Sequence, residues 1–486
     1  MMPVSGKPHR LRRAGTLVVA TLFCAFAASA QAPNPSSSAN PYYGSITAHP
    51  ATNEVIQLSL DDAIHRGLAN NLGLKQAEYQ ENAIHGEKLQ ALQEFLPTIS
   101  LSGVTGYHQY NLEAEGFRPG FLAQLGKSFP GGPTFGSFPF LTRATVTEGR
   151  IKYDQILFSG PVIAGWRAAG AATRAAHFTT TRARGEVVQQ VATAYLQVIA
   201  AASEVDNAKA LEQADRVALD QAHAAHVAGT ASNLDELRAR VQLQAQQQTL
   251  IAAQNDFDKD LILLKREIGL DPGQKIVLTD PAPYSELASQ TPEEVRAVAL
   301  KNRQDYQGLQ NTVEELRAVH SAYRSQRLPT LSISGNYGVT EVASVGSHGT
   351  FMAVGTLSFP IFREARLRGD VQASQAQLDA ANNQLEDLRG KIDQQVRSAL
   401  LDVAATGKLV EVSRSNVELA TRALSDETDR VNAGVDDNLP LVTAQATLAR
   451  AQSTLVESLY QYNLSKLALA RASGVLEQQY RVYLGR

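Results

Sequence analysis

The sequence predicts a mostly helical chain in which long coiled-coil helices are tied to a few β-strands, laid out as two similar halves. Three observations carry this. "FLPTISLSG", from Phe95 to Gly103, returns as "RLPTLSISG", from Arg327 to Gly335, a shift of 232 residues. Each copy stops a polar helical run at a Leu-Pro step and continues in strict alternation of apolar and polar residues, the period of a half-buried strand. After the alternating segments of each half, residues 164–227 and 365–431 contain no proline, and at ~1.5 Å per residue helices of this length reach roughly 100 Å.

The first 30 residues read as an export signal. Lys7, Arg10, Arg12 and Arg13 precede the apolar run "AGTLVVATLFCAFA", and "ASA" ending at Ala30 is a small-residue cleavage site. Phe23 is too bulky for a lipobox ahead of Cys24, so the single cysteine is expected to leave with the peptide, taking disulfides and thiolate metal sites with it. Loss of the four cations takes the formal charge from −3 to −7. That acidic balance argues against a nucleic-acid partner. No later run of ~18 apolar residues follows, so any entry into a membrane must use strands. An extended segment over 31–58 leads into the first half.

The halves divide at residues 59–290 and 291–486. "SLDDAIHRGLANN" at Ser59 and "TPEEVRAVALKNR" at Thr291 keep the shift of 232. Ser59 with Asp62, and Thr291 with Glu294, have the spacing of helix N-caps, and Pro292 suits a first helical position. These acids are therefore first-turn residues rather than a catalytic pair. Downstream the shift drops to 205: "RGEVVQQVATAYLQV" at Arg184 against "RGKIDQQVRSALLDV" at Arg389, and "AGTASNLDEL" at Ala228 against "AGVDDNLPLV" at Ala433. The first copy thus holds 27 extra residues. A repeat this long reads as a duplicated domain plan rather than a solenoid.

Each half should contain two strands, over 99–107 and about 147–158, then 330–340 and about 350–360. Ile99, Leu101, Gly103 and Tyr107 share a face, opposite Ser100, Ser102 and His108. In the second half Leu331, Ile333, Tyr337 and Val339 oppose Ser332, Ser334, Asn336 and Thr340. One face apolar and one polar, over ~9–10 residues, fits a tilted membrane strand. In the helix that follows, Leu378, Leu385, Leu388, Ile392, Val396, Ala399 and Val403 step by 7, 3, 4, 4, 3 and 4, a coiled-coil seam with a stutter. Gly185 and Gly390 recur at matching places in the two long helices, as if for close packing. The "AG" turns reverse the chain, with Asn233 and Glu236 spaced as a capping box and Asn438 placed to cap ahead of Pro440. Returning helices cover 233–268 and 438–473.

Four membrane strands cannot close a barrel, for which about eight is the minimum. An open edge in lipid leaves backbone groups unpaired at several kcal/mol each. Strands from two or three chains must therefore combine around a shared axis.

The duplicated plan, the "LPT" strand entries, the "QILF" and "FPIF" strand exits and the "AG…NL" turns resemble the TolC-like outer membrane efflux proteins, over about Ser59 to Leu484. The resemblance implies a homotrimer, a twelve-stranded membrane β-barrel, and a periplasmic α-barrel of coiled-coil helices. It implies a passive exit duct of a tripartite efflux or type I secretion system, docked through a periplasmic adaptor to an inner-membrane transporter. The helical turns would form the adaptor-docking tip, at Val227, Gly229, Asn233 and Leu234 and at Val431, Gly434, Asn438 and Leu439. Relatives place acids near this tip, which makes Asp436 and Asp437 candidates for a pore constriction. Pro440 and Thr443 stand where some relatives have further aspartates.

Other chemistry is sparse. "FLAQLGKS" near Lys127 has Phe121 where a phosphate-binding loop needs glycine. His223 and His226 lie one turn apart, fewer ligands than a zinc site uses. His85 and His320 are isolated. Trp166, just past a strand exit, suits an interfacial anchor or ordinary packing. The extra residues of the first half carry Phe117, Phe121, Phe129, Phe135, Phe138 and Phe140 among glycines and prolines, as a long loop at the outer mouth or an aromatic lid over it. No nucleophile–base pair, cofactor motif or metal cluster emerges, so an enzyme is not expected. The alternative reading is a periplasmic coiled-coil adaptor or scaffold, whose relatives carry one helical hairpin and lack duplicated membrane-length strands. The cargo is not written in the chain.

Overall fold

The computed structural model describes residues 37–46, 50–111, 114, 141–280, 284–288, 290–343, 346–433 and 438–485. The expected export signal lies outside them. In chain order the elements are β1 (Ile56–Leu58), α1 (Leu60–Asn70), α2 (Leu72–Gln93), β2 (Thr98–Asn111), β3 (Leu141–Phe158), α3 (Gly160–Val227), α4 (Asn233–Glu267), β4 (Ile276–Leu278), α5 (Pro292–Asn302), α6 (Gln304–Ser325), β5 (Thr330–Val342), β6 (Gly346–Ser358), α7 (Glu364–Asn432), α8 (Asn438–Ala472) and α9 (Leu476–Leu484).

Helix starts follow the sequence signals. The Ser59 hydroxyl accepts from the Asp62 amide, and Thr291 with Glu294 makes a full capping box ahead of Pro292. Both Leu-Pro steps end a helix and open a strand, α2 into β2 and α6 into β5. The strands run past the alternating segments, to 14, 18, 13 and 13 residues for β2, β3, β5 and β6, because ladder pairing continues where the apolar alternation fades.

α3 and α7 span 68 and 69 residues. α2 and then α4 pack along one flank of α3, while α6 and then α8 lie between α3 and α7. The core forms near mid-length. Val187, Val191 and Tyr195 of α3, Ile392 and Val396 of α7, and Leu264 and Ile268 at the end of α4 are fully buried there with Leu58, Leu60 and Leu484. The α7 seam expected from the sequence, from Leu378 to Val403, lies in these clusters. Within the chain Gly185 and Gly390 make no close approach to another element: a Cβ added to either meets no atom of one within 4 Å.

The parallel pair β1–β4 joins residues such as Ile56 and Ile276. Neither strand is legible in the sequence, since three residues are too few to show a period. Tyr195 ties this pair to α3, donating to the Leu58 carbonyl and Asp280 at 2.9 Å each.

Candidate functional site: a two-faced sheet and a helical tip

β2, β3, β5 and β6 form one antiparallel sheet in that order. Register places Leu101, Ile151, Tyr337 and Phe351 in a single row across all four strands. Each is more than half exposed, and side chains two residues away along each strand join the same face. Ile99, Tyr153, Ile333, Val339 and Leu357 extend it, so this face is mainly apolar through its lower and middle levels. At ~3.3 Å per residue and a tilt near 40°, 13 residues rise roughly 33 Å, enough to cross an apolar band of ~25 Å.

The opposite face carries the charges Glu148, Arg150, Lys152 and Asp154 of β3, beside Ser100, Ser102, Asn336 and Thr340. Arg150 makes four hydrogen bonds to three partners. Its Nε and Nη2 lie 2.9 and 3.0 Å from the two Glu148 oxygens. Nη1 donates to Asn336 at 3.0 Å and Nη2 to Thr340 at 3.2 Å. Sequence reasoning missed this network. The alternation in "TEGRIKYDQ" was available, but its partners on β5 follow only from register. Among the described residues no strand pairs with the outer side of β2 or β6, so the sheet ends in two open edges.

At the far end of α3 the chain reverses through Ala228–Ser232. Gly229 has φ 74°. The Thr230 amide donates to the Ala225 carbonyl at 2.9 Å and the Gly229 amide to His226 at 3.0 Å, the paired bonds of a Schellman ending. The next helix is capped by Ser232 with Asp235, each bonded to the other's backbone, not by Asn233 with Glu236. Asn233 is the first helical residue. Val227 and Leu234 project into solvent. Glu236 is instead a buried clamp, taking Arg240 at 3.0 Å and lying 3.3 Å from His223 across the hairpin.

His223 and His226 do not converge: His226 lies 3.5 Å from the Ala231 carbonyl. Among the described residues no cluster of three metal-ligating side chains occurs, and no helix is long and apolar enough to cross a membrane. Trp166 is half-buried, edge-on to Phe95 at 6.3 Å with Lys88 above its ring. At the second turn, Val431 is half-buried and α8 starts at Asn438, followed by Leu439. Gly434, Asp436, Asp437 and the six phenylalanines of the long loop lie outside the described residues.

A duplicated helical layer tied to one amphipathic membrane-length sheet has a counterpart among known proteins. The outer membrane efflux protein family matches residues 63–270 and 295–475. The chain belongs to this family. Its members are transport channels of the outer membrane, with helices extending into the periplasm. Outer membrane protein TolC of Escherichia coli (strain K12) is 23% identical over 361 residues, 69% of this chain and 71% of TolC. The alkaline protease secretion protein AprF of Pseudomonas aeruginosa is 24% identical over 308 residues, 60% of this chain and 62% of AprF. A membrane protein structure from Pseudomonas aeruginosa superimposes with a TM-score of 0.72 at 19% identity, over 85% of this chain and 93% of that one. An outer membrane efflux protein is thus written in this chain as two matched stretches, one on each side of residues 271–294.

Proposed function

We propose that the chain is the passive exit duct of a tripartite efflux or type I secretion system and works as a homotrimer. The observation that carries this is the four-stranded sheet with one apolar face, one charged face and two open edges. Three copies pair edge to edge into a twelve-stranded barrel, apolar face to lipid and Arg150 face to the lumen. Each copy adds four helix widths to the periplasmic tube. Twelve helices about 10 Å apart leave a bore of roughly 28 Å, against roughly 15 Å for eight. The two halves descend from one duplicated unit.

The exposed Val227 and Leu234 beside Gly229 support the reading of the α3–α4 turn, with its partner around Gly434, as the docking end for a periplasmic adaptor and, through it, an inner-membrane transporter. Asp436 and Asp437 and the phenylalanine-rich loop, all outside the described residues, are proposed as the constriction of the bore and as an element of the outer mouth.

The particle mass in detergent and conductance in planar bilayers test the proposal. Three chains per particle and a steady conductance are expected. A folded monomer that inserts and conducts alone defeats it.

A further inference from the structure

Between the end of α6 and the start of α7 lies a groove of about 530 Å³. His320, Arg324 and Arg327 line one wall, and Arg368, Gln372 and Gln375 the other. It sits at the level where helix becomes strand, close to Thr330 of β5. Glu364 takes both Arg327, at 3.0 Å, and Arg368, at 2.7 Å. Asp379 at the groove's end accepts from Gln375 at 2.8 Å, and His320 lies 3.0 Å from the Ser374 hydroxyl. Arg324 is exposed and forms no ion pair among the described residues. Two of the three guanidiniums thus share one carboxylate, and Arg324 has no acid partner among the described residues.

The side on which the groove opens follows from helix phase. On α7, Leu367, Ser374 and Leu378 are buried, with Ser374 meeting His320 of α6, and the groove residues Arg368, Gln375 and Asp379 each come one position later, with Val371 and Gln372 lining the groove between them. Further along, Ile392 and Val396 are fully buried, and one position later Asp393 and Arg397 pair with Arg296 and Glu293 of α5. The groove and α5 therefore lie on the same side of α7. A conducting bore cannot hold α5, so that side faces outward.

The two halves differ at this corner. A shift of 232 residues places Leu92 and Phe95 opposite Arg324 and Arg327, and a shift of 205 places Trp166 opposite Val371. The first half closes the corner with Phe95 against Trp166. The second half leaves it open and basic. On its sheet side stand Ile361 and Phe362, 95% and 92% exposed.

We propose that this groove binds the phosphodiester headgroup of a phospholipid in the periplasmic leaflet, anchoring the helix-to-strand junction at the membrane surface. The planar fork of arginine matches two phosphate oxygens, and basic side chains beside a membrane are drawn to anionic headgroups. The assignment rests on the outer-membrane placement proposed above.

The test is native mass spectrometry of the purified oligomer titrated with dioctanoyl-phosphatidylglycerol, with inorganic phosphate in parallel, on protein whose conductance has first been measured. One lipid per chain is expected. Arg324→Gln and Arg368→Gln should each weaken binding about fivefold. Arg366→Gln, on the opposite side of the seam from Arg368, should not. Unchanged lipid binding in the double variant, or equal loss in Arg366→Gln, overturns the site. Displacement by an equal concentration of inorganic phosphate overturns the lipid as its source. If the wild type conducts but binds no lipid, the groove assignment alone fails; a wild type that does not conduct removes the placement beneath it.

Discussion

The side chain of Arg150 lies across Gly338: a Cβ on Gly338 would stand 2.7 Å from the Arg150 Cγ and 2.2 Å from the Gly149 carbonyl oxygen. The missing side chain lets Arg150 reach Asn336 and Thr340 on either side of Gly338. Gly338→Ala should therefore destabilise the sheet by ~1–3 kcal/mol, the usual cost of overpacking. Gly149→Ala, where an added Cβ meets nothing within 4 Å, should be neutral. The temperature at which the assembled oligomer dissociates in detergent separates the two.

Neighbouring residues of β3 should respond in opposite ways. Ile151 belongs to the apolar row and Lys152 to the charged face. Ile151→Lys puts a charge toward lipid and should cost ~2–4 kcal/mol near mid-membrane, reducing the amount of inserted protein. Lys152→Leu should insert normally and alter only conductance. Equal insertion of both variants would reverse the assignment of faces.

Glu267 is fully buried. One carboxyl oxygen accepts from Gln190 at 3.0 Å and the other has no partner. Burial raises its pKa from 4.5 to about 8, with the Gln190 bond opposing. Between these values the folded state holds a proton that the unfolded state has lost. Stability from this group is complete below pH 4.5 and falls as pH rises to about 8, at ~1.4 kcal/mol per unit. Glu267→Gln should flatten that decline in thermal melts across the same window. A parallel decline in the variant excludes Glu267 as its source.

At the tip, Gly229→Val should disrupt the Schellman ending, because a β-branched residue tolerates φ 74° poorly. The oligomer should still assemble while export fails. Ser232→Ala removes a cap worth ~1 kcal/mol and should loosen the hairpin locally, seen as faster exchange of the Asp235 amide that the Ser232 hydroxyl accepts from. Gly434→Val is expected to mirror Gly229→Val. Normal export in both valine variants would remove the turns from docking.

If Asp436 and Asp437 ring the bore in three copies, they concentrate cations there. The double change to Asn should lower cation preference and block by multivalent cations in planar bilayers. The difference should shrink in high salt, where exposed charges are screened. Unchanged selectivity at low ionic strength moves the constriction elsewhere.

The sequence by itself determined the local events. Proline at 97 and 329 ends two helices at strand entries. Alternation at Ile99–Tyr107 and Leu331–Thr340 assigns each residue to a face, and Ser59 and Thr291 mark their helix starts. These signals act within a few residues, where backbone sterics and solvent exposure decide. Choices between equals were left to tertiary structure. Ser232 and Asn233 are both good caps, and the geometry of the Gly229 turn selects Ser232. Register was equally open, because a period of two fixes the face of a residue but not its partner. Arg150 meets Asn336 across 186 residues of sequence only because packed strands align them. The basic groove has the same origin: Arg324 and Arg368 are ordinary surface residues of two separate helices until α6 and α7 pack side by side.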